Sequence, residues 1–317
     1  MRFLCSMILL GSLLFGGDIA PRLSIQASGN VQNIVIQNGH IVAGTNAGTI
    51  DVYHLGDGSV VQKIVFDKIK DFTGDAIAPK VFSVDVLEGS ETYLAVVQAS
   101  NGARQLVVVD KGVVKEVIPS SANLFINKAK FIDASHVLIA LMSNELVLMD
   151  LKSGKQIYQY QVNPSHFSDF ALNESKSLVA SSCESGEITI SDVASGKTQF
   201  VLSGGNVDNV YKVDFKNQKV LGAGQDRRGI VYDAKTKSFD RFDGDFLLYA
   251  GALSPSAKRA AFAFNEQNDI VIFDLFSKSK LHTLKGQKST LNTIVFVGEN
   301  ELVSGSDDQF ILLWRLP

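Results

Sequence analysis

The stretch LVSGSDDQFILLWRL, residues 302–316, decides the fold of this 317-residue chain. A short apolar run leads through Ser, Gly and Asp residues into a second apolar run, which ends at Trp314. Runs of this length, separated by small polar residues, predict two antiparallel β-strands joined by a tight turn. Such a pair has unpaired edges, so further strands are expected elsewhere in the chain.

Six other stretches resemble the second run of this pair. Five of them carry Asp at one fixed position, at spacings of 40, 42, 41 and 41 residues: Asp110, Asp150, Asp192, Asp233 and Asp274. Arg315 holds this position 41 residues later, and His54 holds it in the first run. We interpret the repeated Asp as a structural turn or ladder residue. The seven runs are TIDVYHL (49–55), LVVVDK (106–111), LVLMDL (146–151), ITISDV (188–193), IVYDA (230–234), IVIFDL (270–275) and ILLWRL (311–316).

Each run belongs to a larger repeating unit. Two apolar runs precede it and a further one follows it, which predicts four strands per unit at a period near 41 residues. Helical periodicity is nowhere sustained. The first unit is longer because residues 66–80 form an inserted loop. The pattern predicts an all-β repeat protein of seven four-stranded units, a seven-bladed β-propeller.

The run of Ser304, Gly305, Ser306 and Asp308 before Trp314 resembles a WD40 repeat, in which a Ser-Gly-Ser-x-Asp segment precedes an apolar run that ends in Trp-Asp. The resemblance covers residues 18–317 as one domain. The repeats are degenerate, because the Gly-His dipeptide is missing and LKGQ (284–287) holds its place once. The side-chain network of regular WD40 blades is therefore expected to be absent or rudimentary. At the Trp position the other units carry Tyr53, Val109, Met149, Ser191, Tyr232 and Phe273.

The seventh unit has only three predicted strands. Residues 22–28, RLSIQAS, precede the first unit and alternate apolar and polar side chains, as an outer strand does. We predict that this N-terminal strand completes the last blade and closes the ring.

The N-terminal stretch, residues 1–17, differs from the repeats. Arg2 precedes an apolar segment, residues 3–15, and two glycines follow, which is the layout of a secretory signal peptide. An uncleaved membrane anchor is the alternative. A net charge of −3 gives no indication of nucleic-acid binding. We therefore expect an exported, periplasmic protein.

The sequence has no recognisable catalytic or metal-binding motif. The five histidines have no metal-ligand spacing, and neither a nucleophile elbow nor a phosphate-binding loop is present. An alternative is a metal-dependent, lactonase-like hydrolase with Asp85, Asp169 and Asp214 in the central channel. Cys183 is interpreted as a buried small residue, with a reactive thiol as the alternative.

Binding residues are expected in the loops of one ring face. In GQDRRG (224–229) two adjacent arginines could grip a carboxylate-rich partner. Phe72, Phe167 and Tyr249 would anchor an interface if exposed, although neighbouring loops could cover them. The predicted partner-binding residues are Asp226, Arg227, Arg228, Tyr249, His166, Phe167 and Asp308.

The expected function is a non-enzymatic, protein-binding scaffold. An exported, degenerate, seven-unit WD40-like chain of this length resembles the propeller accessory proteins encoded with periplasmic nitrate reductase in some bacteria, the NapL type. The resemblance implies a maturation or electron-supply role through contacts with nitrate reductase subunits, and no cofactor. We expect a monomer that binds neither nucleic acid nor, beyond its leader, membrane. A membrane-anchored envelope-assembly adaptor is a further alternative.

Overall fold

The computed structural model describes residues 17–317. The predicted leader, residues 1–17, lies outside the described residues except for Gly17. Among the described residues, no helix has the length and apolar content needed to cross a bilayer.

The chain is a seven-bladed β-propeller, as the repeats predict. Two strands, β1 (Asp18–Ile19) and β2 (Leu23–Gln26), precede the first blade. Blade 1 has β3 (Val31–Gln37), β4 (His40–Thr45), β5 (Thr49–His54) and β6 (Val60–Val65). The hairpin β7 (Ile69–Lys70) and β8 (Ala76–Ile77) follows. Blade 2 has β9 (Val81–Val86), β10 (Tyr93–Gln98), β11 (Arg104–Asp110) and β12 (Val113–Ile118), with one-turn 3₁₀ helices at Ser100–Gly102 and Ser120–Ala122.

The remaining blades repeat this order of strands. Blade 3 has β13 (Ile126–Phe131), β14 (His136–Leu141), β15 (Glu145–Asp150) and β16 (Lys155–Gln161). Blade 4 has β17 (Phe167–Leu172), β18 (Leu178–Cys183), β19 (Ile188–Asp192) and β20 (Thr198–Leu202). Blade 5 has β21 (Val210–Lys216), β22 (Lys219–Gly224), β23 (Arg228–Asp233) and β24 (Phe239–Asp243). Blade 6 has β25 (Gly251–Leu253), β26 (Arg259–Ala263), β27 (Ile270–Asp274) and β28 (Lys280–Leu284), and blade 7 has β29 (Leu291–Gly298), β30 (Glu301–Ser306) and β31 (Phe310–Arg315).

The first strands of the blades line a central channel. Each first strand contacts the first strands of both neighbouring blades, and the contact between β29 and β3 closes the circle. Apolar side chains fill the spaces between adjacent blades, so the core consists of clusters shared by neighbouring sheets. The inserted segment 66–80, expected as a loop, contains the short β7–β8 hairpin.

The predicted closure is confirmed. Strand β2 pairs antiparallel with β31, with Leu23 opposite Leu313 and Ile25 opposite Ile311. Ile25 is buried, whereas its neighbours Ser24 and Gln26 are exposed, as the alternation predicts. The two-residue strand β1 also pairs in parallel with β28 of blade 6. The N-terminal segment thus contacts two blades, and its second attachment was too short to predict.

Four of the five repeated Asp residues, all but Asp110, accept hydrogen bonds within the turn between the third and fourth strands. Asp192 Oδ1 accepts hydrogen bonds from the backbone N–H and hydroxyl of Ser195, at 2.8 and 2.7 Å. Asp233 accepts hydrogen bonds from backbone N–H groups of its turn and from the ammonium group of Lys219. These contacts lower the pKa of Asp233 to about 2. The interpretation as a structural turn residue is confirmed, because a short carboxylate can accept N–H groups two and three residues ahead.

Blade 7 contains the side-chain network that the degenerate repeats were expected to lack. Trp314 Nε1 donates to Ser304 Oγ at 2.9 Å, and Ser304 Oγ donates to Gln287 Oε1 at 2.8 Å. The Gln287 amide also donates to Ser306 Oγ at 2.6 Å and to the Phe310 carbonyl at 3.2 Å. The expectation is therefore wrong for this blade, because an amide side chain takes the place of the missing histidine.

Candidate functional site: one ring face and the central channel

Two kinds of segment form one face of the ring. The loop between the second and third strands of a blade hydrogen-bonds to the connection that enters that blade. Gln225 N donates to the Asn209 carbonyl at 2.8 Å, and Met142 N donates to the Phe125 carbonyl at 2.8 Å. We call the face formed by these loops and connections the connection face. The opposite face, formed by the turns between first and second and between third and fourth strands, is called the hairpin face.

The GQDRRG turn lies on the connection face, but two of its three charged residues stabilise the turn itself. Asp226 accepts hydrogen bonds from Asn206 Nδ2 at 3.1 Å and from Val207 N at 2.8 Å. Arg228 Nη1 donates to the Gly205 carbonyl at 3.0 Å. Asp226 and Arg228 were predicted to bind a partner, and in the structure both hold this turn against the preceding connection.

Arg227 differs from its neighbours in this turn. It is exposed, has a φ of 62°, and its guanidinium contacts no other described residue within hydrogen-bonding or ion-pair distance. A positive φ is unusual for a residue with a Cβ atom, and the bonds of Asp226 and Arg228 on either side hold the backbone there. The turn therefore presents Arg227 to solvent in a fixed backbone conformation.

The other predicted binding residues lie in different environments. His166 is exposed on the connection face. Tyr249 is half-buried and stacks on Tyr211, with ring centroids 5.0 Å apart. Phe167 is buried and packs near Phe170, so it cannot anchor a partner in this structure. Its position at the start of an inner strand turns its ring into the interface between blades.

Asp308 was also predicted to bind a partner, and its environment is structural. Its Oδ1 accepts the Phe310 backbone N–H at 2.7 Å and lies 3.4 Å from the Gln287 amide nitrogen. Its Oδ2 is buried without a hydrogen-bond partner among the described residues. Asp308 is half-buried and contributes to the blade 7 network.

Several large apolar side chains project from the connection face. Phe72, at the tip of the inserted hairpin, is 91% exposed, and Phe125 is 58% exposed. Val207 is 61% and Met142 37% exposed. Phe72 was predicted as an interface anchor, provided that it is exposed. Met142 and Val207 were missed, because a single apolar residue in a short polar loop gives no periodic signal.

The three channel carboxylates connect neighbouring blades. Asp85 Oδ2 accepts the Phe131 N–H at 2.8 Å, Asp169 Oδ2 accepts the Val213 N–H at 3.2 Å, and Asp214 Oδ2 accepts the Leu253 N–H at 2.9 Å. The inner edge of each first strand has backbone N–H groups that no further strand can pair. Each carboxylate satisfies one such group on the next blade, which is a structural role for the acids considered as metal ligands.

The electrostatic environments of these carboxylates differ. Burial alone would raise the pKa of Asp169, but Lys128, at 2.7 Å, and Lys212 outweigh it and hold that pKa below its ordinary value. Asp214 lacks an ion-pair partner within 4.0 Å among the described residues, and burial raises its pKa. Asp85 is paired with Lys130 at 3.0 Å. Within residues 17–317, no three His, Cys, Asp or Glu side chains are grouped to hold one metal ion.

Cys183 is buried, and its sulfur lies 3.0 Å from Ser185 Oγ.

Comparison of the chain with protein-family models finds no match, and comparison with curated proteins finds none either. We therefore infer the function from the connection face and the central channel.

Proposed function

We propose that this propeller is a non-enzymatic, periplasmic, protein-binding scaffold, and that it acts as an accessory or maturation factor of the periplasmic nitrate reductase system. Its connection face binds the protein partner. The two arginines first assigned to this role have different environments, and Arg227 is the one available to a partner.

The observation that carries this proposal is the group of exposed apolar side chains on the connection face. Phe72, Phe125, Val207 and Met142 project from loops that are otherwise polar. Phe and Met are enriched in surfaces that bind other proteins. Aromatic residues and arginine also contribute disproportionately to binding energy at such surfaces. The exposed Arg227 supports a partner with carboxylates at the complementary position.

The nitrate reductase system is proposed from the resemblance of the sequence to its propeller accessory proteins. The leader-like residues 1–17, the chain length of 317 residues and the seven degenerate units support this assignment. The leader also supports the periplasmic location.

A pull-down from the periplasm of the native host, grown with nitrate, tests the proposal. The tagged, exported protein should retain nitrate reductase or its electron-transfer subunits, identified by mass spectrometry and displaced by untagged protein. Recovery of no stoichiometric partner would reject the scaffold function, and recovery of unrelated envelope proteins would reject the nitrate reductase assignment.

Matched variants test the face. Phe125→Ser and Arg227→Ala should each weaken capture, by about tenfold for a binding hot spot. Phe276→Ser is the control, because Phe276 is 97% exposed in a turn of the hairpin face. Equal loss of partner in the control and the Phe125 variant would contradict the assignment of the connection face. Arg228 is left unchanged, since its removal would disturb the turn.

A further inference from the structure

The central channel contains a cavity of about 450 Å³. Its walls are the first strands of the blades, and its outer rim includes residues of the turns between first and second strands, such as Glu88 and Lys176. It therefore opens on the hairpin face, away from the connection face. A cavity of this volume is in the range that accommodates a small organic molecule.

The cavity has two chemically different walls. Blades 7 and 1 line the cavity with half-buried apolar side chains beside the polar Asn33, Gln37 and Thr293, whereas blades 2 to 5 contribute the charged side chains. The apolar wall consists of Val35, Ile36, Val295, Phe296 and Val297. The charged wall consists of Asp85, Lys128, Lys130, Asp169, Lys212, Asp214 and Lys216.

The lysines of the charged wall fall into two groups. Lys128 contacts Asp169 at 2.7 Å and Lys130 contacts Asp85 at 3.0 Å. Lys212 and Lys216 are half-buried, and neither makes a hydrogen bond or an ion pair with any residue of the described part of the chain. An ammonium group withdrawn from bulk water without an anionic partner is unfavourable. Blade 5 therefore places two unpaired cations in the cavity.

No carboxylate lies within 4.0 Å of either ammonium group in the described part of the chain, although Lys212 acts electrostatically on Asp169 and Lys216 on Asp214. Asp85 and Asp169 are already paired, and both oxygens of Asp214 accept backbone N–H groups, from Phe215 at 2.8 Å and Leu253 at 2.9 Å. Burial raises the pKa of Asp214. At the rim, Glu174 accepts the Asn217 N–H at 2.6 Å and Lys176 donates to the Phe131 carbonyl at 3.0 Å. Of the lysines that line the cavity, those of blade 5 are the two without a hydrogen-bond or ion-pair partner among the described residues.

We propose that the channel cavity binds a small amphipathic carboxylate, with its charged group at Lys212 and Lys216 and its hydrocarbon part against Val35, Val295 and Val297. The carboxylate of the ligand supplies the missing partner of the two ammonium groups. Its hydrocarbon part covers the apolar side chains and removes them from water. This site is independent of the protein-binding face, because the two open on opposite sides of the ring.

Isothermal titration of the protein that comprises residues 18–317 with straight-chain carboxylates tests this proposal. Decanoate should bind with one-to-one stoichiometry, and the affinity should increase about fourfold per added methylene from hexanoate to decanoate. Decyltrimethylammonium, which has the same tail and the opposite charge, and acetate, which has no tail, should not bind. Equal binding of the cation, or an affinity that does not depend on tail length, would overturn the proposal.

Two substitutions locate the charged group. Lys212→Met keeps the length of the side chain and removes its charge, and should weaken decanoate binding about 10- to 100-fold. Lys216→Met should also weaken binding. Lys155→Met, on the exposed outer strand β16, is the matched control and should leave the affinity unchanged. Thermal unfolding shows whether each variant is folded. Wild-type affinity in both folded channel variants would overturn the assignment.

Discussion

Blades 7 and 4 have the same four-strand pattern, but one buried serine has different hydrogen-bond partners in the two blades. Ser304 of blade 7 and Ser181 of blade 4 occupy the same position of the second strand, each opposite the third strand at an equivalent register. Ser304 is bonded on both sides, to Trp314 and Gln287. Ser181 Oγ is buried without a hydrogen-bond partner among the described residues. The difference lies in the partners and not in the serine.

Two substitutions explain why blade 4 lacks the network. Ser191 stands where blade 7 has Trp314, and its hydroxyl is also buried without a partner in the described part of the chain. Asn163 stands where blade 7 has Gln287, and its amide donates to Glu187 Oε2 at 3.0 Å instead of reaching inward. A buried hydroxyl therefore stabilises a blade only when both of its neighbours are present, because an unsatisfied polar group costs free energy.

At the turn between the third and fourth strands, blade 4 has the stabilising hydrogen bonds and blade 7 lacks them. Blade 4 has Asp192, whose bonds to Ser195 fasten the turn, whereas blade 7 has Arg315 at the repeated position. The fourth strand of blade 7 comes from the N-terminal segment, so no such turn is needed there. Each of the two blades thus has a stabilising feature that the other lacks.

The largest effect is expected at the Trp position. Trp314→Ala should lower the free energy of unfolding by about 3–5 kcal/mol, because it empties a fully buried site and removes the donor to Ser304. Ser191→Ala, the same position of blade 4, should change it by less than about 1 kcal/mol. Urea unfolding followed by circular dichroism measures both. Equal losses would break the contrast between the blades.

An intermediate effect is expected at the serines. Ser304→Ala should lower the free energy of unfolding by about 1–3 kcal/mol, since it leaves Trp314 Nε1 and Gln287 Oε1 without their partner. Ser181→Ala should be neutral or stabilising by up to about 1 kcal/mol, because it removes a hydroxyl that has no partner. The two variants can be compared in the same urea experiment. Destabilisation by Ser181→Ala as large as that by Ser304→Ala would mean that blade 4 satisfies its serine in another way.

The smallest effect is expected at the turn and depends on pH. Hydrogen bonds from Ser195 hold the pKa of Asp192 below its ordinary value. A carboxylate with a lowered pKa contributes stability above its unfolded pKa of about 3.9, and this is lost as pH falls through the folded value. Asp192→Asn should therefore cost less than about 1 kcal/mol at pH 7. The difference from wild type should shrink below about pH 4 in urea titrations, and a pH-independent difference would contradict the assignment.

The features predictable from sequence were those that depend on periodicity. The third strands, the turn role of the repeated Asp, and the closure by residues 22–28 all follow from alternation and spacing. The environments of Asp226, Arg228, Asp308 and Phe167 could not be predicted, because they depend on how the connections between blades fold back over the loops. First strands also carry a bulge, as between Val210 and Lys212, and this shifts which side chains line the channel.

Side chains, as well as the strand ladder, fix the blade that closes the ring. Hydrogen–deuterium exchange with mass spectrometry tests it most directly, by comparing peptides that span residues 301–315 and 178–192 of the same protein. We predict slower exchange in the blade 7 peptide, and acceleration of that peptide alone in Ser304→Ala. Faster exchange in blade 7 than in blade 4, or no change in the Ser304 variant, would contradict the account.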